Sequence, residues 1–97
     1  MTPAFRLTQR ALKDLQAIAA YTRRQWGEEQ SARYLRELDR RFSWIADNPA
    51  AGRSRQDVAR GARSIRHRSH IVFYRVAGTD IDILAIIHGT RDIAALD

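Results

Sequence analysis

Apolar residues recur every three or four positions over two long stretches in the first half of the chain. The first stripe consists of Leu12, Leu15, Ile18 or Ala19, Thr22 and Trp26. Thr8 offers a side-chain oxygen to cap a helix, and Gly27 is a typical helix end. The pattern therefore predicts an amphipathic α-helix of about four to five turns.

A second helix is predicted directly after Gly27. Its buried stripe consists of Leu35, Leu38, Phe42 and Ile45, with Tyr34 beside them. Glu28 and Glu29 suit the positive N-terminal end of this helix, and Asn48 and Pro49 stop it. Because so short a link leaves little choice of direction, we expect the two helices to form an antiparallel hairpin.

The second half of the chain has the composition of strands. Three β-type runs are predicted: Arg63 to Arg68, His70 to Ala77 and Ile81 to His88, of which the last two are rich in β-branched and aromatic residues. A short strand is also predicted around Phe5 and Leu7, and the segment from Ala50 to Gly61 has the composition of a surface loop. The chain is thus predicted to be one α+β domain over residues 1–97. In this fold the N-terminal strand and the helical hairpin pack on a small antiparallel sheet of three or four strands.

The aromatic residues have expected positions in that layering. Trp26 and Trp44 lie at the two ends of the hairpin, where we expect them to cover the core. Tyr74 lies within a central run, so it is expected to be a core residue.

Charge divides the chain into three unequal parts. Residues 1–47 carry nine basic and six acidic groups, residues 48–79 seven and one, and residues 80–97 one and four. The parts therefore have net charges of +3, +6 and −3, which sum to +6. All basic residues except Lys13 are arginines, whose planar guanidinium groups suit carboxylates and phosphates. An acidic partner is expected, either nucleic acid or an acidic protein segment.

Several functional classes are disfavoured by composition. The chain has no cysteine, so neither a disulfide framework nor a thiolate site is available. No carboxylate lies at ligand spacing from His67, His70 or His88, so neither a metal site nor another cofactor is expected. The sequence lacks a long apolar run and a signal-like N-terminus, so we expect no membrane association and a cytoplasmic location.

The order of several short motifs is similar to that of a known family. The motifs are Leu12 and Leu15 on the first helix, Tyr34, Leu38 and Phe42 on the second, NPxxGR at 48–53, HIVFYRV at 70–76 and HGTRD at 88–92. Together they resemble the toxins of the RelE/ParE superfamily, over essentially the whole chain. The long hairpin and the IxxxIIHGTRD ending are more similar to the ParE branch than to the RelE branch.

The resemblance implies the toxin of a type II toxin-antitoxin pair. ParE-like toxins are taken to inhibit DNA gyrase by binding, without an established catalytic residue of their own. Their antitoxins are ParD-like proteins with a ribbon-helix-helix DNA-binding half and an acidic, amphipathic C-terminal segment. On this view the chain contacts operator DNA only indirectly, through the antitoxin.

The resemblance and the charge pattern together indicate a binding surface. Its expected residues are Arg53, Arg55, Arg60, Arg63, Arg66, Arg68, His88 and Arg91. Antitoxin carboxylates are the first ligand to consider, and phosphates of gyrase-bound DNA are the second. The alternative is that the run from Arg53 to Arg68 is a solvated loop and sheet edge, and that Arg91 forms an ion pair with Asp92.

Two other functions stay open. The chain could be a RelE-like ribosome-dependent endoribonuclease of messenger RNA, with His70, His88 and Arg91 forming its site. Against this, a strand position where those nucleases place an arginine is Ile71 here, and the ending IAALD offers no Tyr or His. The third possibility is a binding module that keeps the antitoxin and has lost toxicity.

Overall fold

The fold is described from a computed structural model, which covers residues 3–89. Within this range the elements are β1 (Phe5–Leu7), α1 (Gln9–Trp26), α2 (Glu28–Asp47), β2 (Arg53–Ser54), β3 (Ala62–His67), β4 (His70–Ala77) and β5 (Asp80–His88). The helices form a hairpin, and both of them contact β1 and β5. This arrangement of a helical hairpin on a sheet confirms the predicted α+β fold.

The sheet is larger than predicted and is mixed. It has five strands in the order β1-β5-β4-β3-β2, rather than three or four. β1 pairs parallel to β5, whereas all other neighbours are antiparallel. The extra strand is β2, a two-residue strand inside the segment predicted as loop, which pairs with Arg63 and Ser64 of β3. Neither feature has a sequence signal, because β1 pairs with a strand distant in sequence and β2 has only two residues.

Helix α1 is fixed to the sheet at its N-terminal end. The Thr8 hydroxyl oxygen accepts a hydrogen bond from the Ala11 amide at 3.1 Å, as predicted for a cap, and lies 3.0 Å from the Ile83 carbonyl oxygen. Ala11 is fully buried, whereas Leu12 is 46% exposed. The prediction that Leu12 belongs to the buried stripe was therefore wrong, because the contacts of Thr8 turn the smaller Ala11 toward the sheet.

Helix α2 follows after Gly27, whose φ of +89° allows the sharp reversal between the helices. Its predicted stripe is confirmed at Leu38, Phe42 and Ile45, which are almost completely buried. The helices are also joined by a buried hydrogen bond of 2.7 Å between the hydroxyl groups of Thr22 and Ser31. The hairpin is thus held by apolar packing together with one satisfied polar pair.

An irregularity in β5 explains why apolar residues occur on both of its faces. The register between β4 and β5 shifts at Phe73 and Tyr74. In this region the Asp14 carboxylate of α1 accepts a hydrogen bond of 2.9 Å from the Ile86 amide. Ile83 and Ile86 consequently both face the helices, while Ala85 joins a smaller apolar cluster of its own with Phe73.

Tyr74 is fully buried, as predicted, and it also fixes the segment after α2. Its hydroxyl accepts from the Gly52 amide and donates to the Pro49 carbonyl, each at 2.8 Å. A side chain at Gly52 would collide with this hydroxyl. The segment that leads to the arginine-rich half is therefore anchored to the core by one phenol.

The hairpin tryptophans lie farther out than predicted. Trp26 is 46% exposed and Trp44 is 43% exposed, so neither covers the core. The core is closed instead by smaller residues such as Ala46 and by Tyr34. Among residues 3–89, no helix combines the length and the apolar character that crossing a membrane requires.

Candidate partner-binding surface

The predicted arginines fall into two groups that differ in what their guanidinium groups contact. Arg53 lies on β2, Arg60 in the following loop, Arg63 and Arg66 on β3, and Arg68 in the turn before β4. Arg55 lies between β2 and β3 and is only 8% exposed. The structure thus gathers the run around the edge of the sheet formed by β2 and β3, and Arg55 stands apart by its burial.

Arg55 is already occupied within the molecule. Its guanidinium forms a two-point ion pair with Asp57, with N to O distances of 3.1 and 3.0 Å. The same group lies 5.2 Å from the ring centroid of Phe73. The hydrogen bond with Arg55 lowers the pKa of the Asp57 carboxyl. These contacts fit a structural role, in which Arg55 attaches the loop to the outer face of the sheet.

Arg68 is also paired. Its guanidinium donates to both carboxylate oxygens of Glu37 on α2, at 2.8 and 3.0 Å. The backbone of Arg68 has a φ of +54°, the left-handed conformation that the tight turn between β3 and β4 uses. The hydrogen bond from Arg68 lowers the pKa of Glu37. The pair ties the β3-β4 turn to the helical layer.

The other arginines of the run keep their positive charge uncompensated. Arg63 donates to the Gly52 carbonyl at 2.7 Å, and Arg66 donates to the Arg68 carbonyl at 3.2 Å. Within residues 3–89, no carboxylate forms an ion pair with Arg53, Arg60, Arg63 or Arg66. Because carbonyl oxygens orient a guanidinium without neutralising it, these groups can still bind an anion.

Arg75 of β4 lies on the same face of the sheet as Arg66, opposite to the face of Arg63, although the sequence did not single it out. It pairs in register with Ala62 and donates to the Arg60 carbonyl at 3.3 Å. Ala62 therefore marks the position of Arg75 along β3. Arg66 lies four residues farther along this strand, which corresponds to about 13 Å at the rise of a strand. Alternation along β4 could have placed Arg75 on this face, but only if the pairing with β3 had been known.

The histidines form a group of their own at the N-terminal end of β4, where His67, His70 and His88 lie in register on β3, β4 and β5. The Tyr34 hydroxyl lies 2.6 Å from Nδ1 of His70, and the rings of His70 and His88 are edge to face at 5.6 Å. Burial lowers the pKa of His70 to about 4, with smaller contributions from His88 and His67. His70 and His88 border an open pocket of about 530 Å³ that also contains Asp14 and Tyr21.

His70 does not have the properties of a general base poised near neutral pH. A general base works best when its pKa lies near the working pH, whereas the pKa of His70 is well below it. Its Nδ1 atom is also engaged by Tyr34. Arg91, the third residue of the ribonuclease alternative, lies outside the described residues, as does the predicted pair with Asp92.

The structure shows no cluster of metal-binding side chains among the residues that it describes. Across residues 3–89, no group of three or more His, Asp or Glu side chains is arranged to hold a metal ion. His67 faces Glu37 at 3.9 Å, which is too long for a hydrogen bond.

Comparison with known proteins places this geometry in a family. The profile of the ParE toxin of the type II toxin-antitoxin system parDE matches residues 5–93. The chain belongs to the ParE toxin family. It is 37% identical over 91 residues to Toxin ParE1 of Caulobacter vibrioides, with 94% of each chain covered. It is also 34% identical over 94 residues to Toxin ParE1 of Mycobacterium tuberculosis, with 96% of each covered.

The fold has a solved relative as well. A structure described as the chromosomal ParDE TA system from P. aeruginosa superposes with a TM-score of 0.75 at 24% identity, covering 90% of this chain and 96% of that one. The resemblance inferred from the motifs is therefore confirmed, and the chain is a ParE toxin of a type II toxin-antitoxin system. For a ParE toxin, the exposed guanidinium groups around β3 are the part of the surface that most needs an explanation.

Proposed function

We propose that this ParE toxin acts by binding, inhibiting DNA gyrase, and that a ParD-like antitoxin neutralises it. The observation that carries the proposal is the set of uncompensated guanidinium groups on and around β3. Arg63, Arg66 and Arg75 are held by backbone carbonyls, so each is oriented and still charged. An acidic antitoxin segment can neutralise these groups with carboxylates and form charge-assisted hydrogen bonds with them.

An amphipathic segment also needs an apolar groove in which its apolar side chains can bind. A groove of about 260 Å³ lies where the helical hairpin meets β1, lined by Phe5, Leu7, Leu15, Leu35 and Phe42 among others. This groove and β3 lie on opposite sides of β4 and β5. Three strand spacings, about 14 Å, separate β1 from β3 within the sheet. In our proposal, one part of the antitoxin fills the groove and another part binds the arginines.

Inhibition by binding, rather than by catalysis, agrees with the properties of His70. A ribonuclease would need an acid and a base near neutral pH, and His70 is held neutral by burial. In complex with the antitoxin, the toxin is expected to help repress its own operon through the DNA-binding half of the antitoxin. His88 and Arg91 remain proposed members of the target surface.

The decisive experiment compares two activities of the full chain. Purified gyrase is assayed for supercoiling with and without the toxin, and messenger RNA ends are mapped after the toxin is induced in cells. We expect loss of supercoiling with intact transcripts, and recovery when a ParD-like antitoxin is added. Codon-phased cleavage with active gyrase would favour the RelE-like alternative, and neither effect would indicate an inactive binding module.

A further inference from the structure

Trp44 is an exposed aromatic residue with an unusual neighbour. It lies on the outer side of α2 and is 43% exposed. The guanidinium carbon of Arg41 lies 4.6 Å from the centroid of its ring. This contact fixes a flat, polarised ring surface in solvent, where burying it in the core would have been more favourable. The packing of the fold does not account for that position.

The surroundings of Trp44 are rich in positive charge. Arg40 lies four residues before Trp44, on the same face of the helix. Arg41 also donates to the Arg66 backbone carbonyl at 3.3 Å, which brings the end of β3 to the same place. Arg68, in the turn that follows, is bound to Glu37 on the same side of α2. We define the Trp44 surface as Arg40, Arg41, Trp44 and Arg68.

Acidic groups reduce this charge without cancelling it. Glu37 is bound at two points by Arg68, and Asp47 lies one turn beyond Trp44 on the same helix face. Arg40, Arg41 and Arg68 against these two carboxylates leave a net charge of +1. The Arg41 Nε atom is buried and makes no hydrogen bond within residues 3–89. The surface is thus electropositive around a ring that can stack.

An exposed aromatic ring beside guanidinium groups is the arrangement that binds unpaired nucleotides. Bases stack on aromatic side chains, while Arg binds the phosphates on either side. Duplex DNA keeps its bases stacked internally and would leave the ring of Trp44 unused. An acidic peptide would use the charges, but its carboxylates do not stack on the indole ring.

We propose that the Trp44 surface binds single-stranded nucleic acid, with a base on the indole of Trp44 and phosphates on the neighbouring guanidinium groups. This proposal stands apart from the gyrase proposal, since it rests on Trp44 and the guanidinium groups beside it and not on Arg63, Arg66 or Arg75. It assigns a role to the arginines of α2, which binding of the antitoxin at β3 and the apolar groove leaves unexplained.

The chain supplies a matched control for Trp44. Trp26 is similarly exposed, at 46%, and it packs edge to face on Tyr34 at 5.8 Å. Arg23 and Arg24 precede it and Glu28 and Glu29 follow it, so its neighbours in sequence carry no net charge, whereas the Trp44 surface is positive. The chain contains only these two tryptophans, so replacing either by phenylalanine leaves the other as a single fluorescent reporter.

The test titrates the full chain carrying Trp26→Phe with oligodeoxythymidylate of about 15 nucleotides, a length that spans one binding site of this kind. We expect saturable quenching of Trp44 and an affinity that falls as salt is raised. Trp44→Ala should weaken binding about tenfold, measured by anisotropy of a labelled oligonucleotide. Arg41→Ala should weaken binding and reduce the slope of log affinity against log salt by about 0.7.

Arg33→Ala is the control for loss of charge alone. Arg33 lies on the same helix, is 64% exposed and has only a loose contact of 3.9 Å to Glu29. It is eleven residues from Trp44, about 16 Å along the helix axis. Its substitution should leave quenching and salt slope close to those of the parent protein.

Three results would overturn the proposal. The first is an absence of quenching in the Trp26→Phe protein, and the second is equal binding by the Trp44→Ala protein. The third is displacement of the oligonucleotide by duplex DNA or polyglutamate at equal charge concentration, since that would indicate a general electrostatic surface. Circular dichroism of each variant separates a loss of binding from a loss of fold.

Discussion

At the residue scale, His70 is the side chain whose chemistry is changed most by its surroundings. It is 8% exposed, its Nδ1 atom is engaged by the Tyr34 hydroxyl, and burial lowers its pKa to about 4. In the unfolded chain the pKa of a histidine is about 6.5. Since the unfolded state then binds a proton more readily, folding stability must depend on pH in this range.

The sign of that dependence follows from the lowered pKa. Above about pH 6.5 both states are neutral at His70 and the full stability is present. As the pH falls from about 6.5 to 4, the unfolded chain is protonated first, so the free energy of unfolding decreases. The loss from this one group is on the order of 3 kcal/mol, and below about pH 4 it levels off.

We predict that His70→Asn removes most of this dependence. Asparagine can present an oxygen to the Tyr34 hydroxyl near the position of Nδ1, but it does not titrate. Urea denaturation of both proteins at several pH values between about 7.5 and 4.5 measures the difference. His67, whose pKa burial also lowers, contributes in the same direction and remains in both proteins. Parallel curves for the two proteins would contradict the assignment to His70.

At the scale of the elements, the two faces of the helical hairpin decide stability. Leu38 is fully buried between the helices and the sheet, whereas Leu12 is 46% exposed although the same apolar spacing includes it. Removing side-chain carbons from a packed core costs the lost burial and leaves a cavity. Removing them from a half-exposed position costs far less, because solvent fills the space.

We therefore predict very different effects for two identical substitutions. Leu38→Ala should lower the free energy of unfolding by about 2 to 5 kcal/mol, because it opens a cavity in the core. Leu12→Ala should change it by less than about 1 kcal/mol. Denaturant unfolding of both variants measures the contrast. Equal losses would mean that α1 presents a different face to the sheet from the one described.

The same elements show how far the sequence predicts the fold. The helices, their hairpin and the three long strands follow from periodicity and from Gly27, because those signals are local. The exposure of Leu12 does not, because the contacts of Thr8 and Asp14 with β5 set the rotation of α1. Likewise, β1 and β2 are too short for their own residues to specify partner or direction.

At the scale of the whole molecule, the arginines of one run differ in whether a carboxylate neutralises them. Charge along the chain predicts where they cluster, but only the folded structure shows that Arg55 and Arg68 are neutralised by Asp57 and Glu37. The predicted binding surface consequently shrinks to the unpaired members of the run. The sequence could not show that Arg68 is paired, because its ion pair joins residues that are far apart along the chain.

This division predicts opposite outcomes for two arginine variants. Arg66→Ala removes a charge that is held by a backbone carbonyl, so it should weaken binding of a ParD-like antitoxin and leave the free energy of unfolding nearly unchanged. Arg55→Ala removes a nearly buried group with its ion pair and its contact on Phe73, so it should lower that free energy by about 1 to 3 kcal/mol.

Calorimetric titration with the antitoxin at several salt concentrations, together with denaturant unfolding, measures both quantities. Binding by the Arg66→Ala protein should also depend less on salt, because one screened attraction is lost. Arg55→Ala protein that folds should still bind the antitoxin. In the parent protein the Arg55 guanidinium is already bound to Asp57, so it is not available to a partner. The contrary result would be that Arg55→Ala weakens binding more than Arg66→Ala and does not lower stability. In that case, internal ion pairs would not determine which arginines can bind a partner.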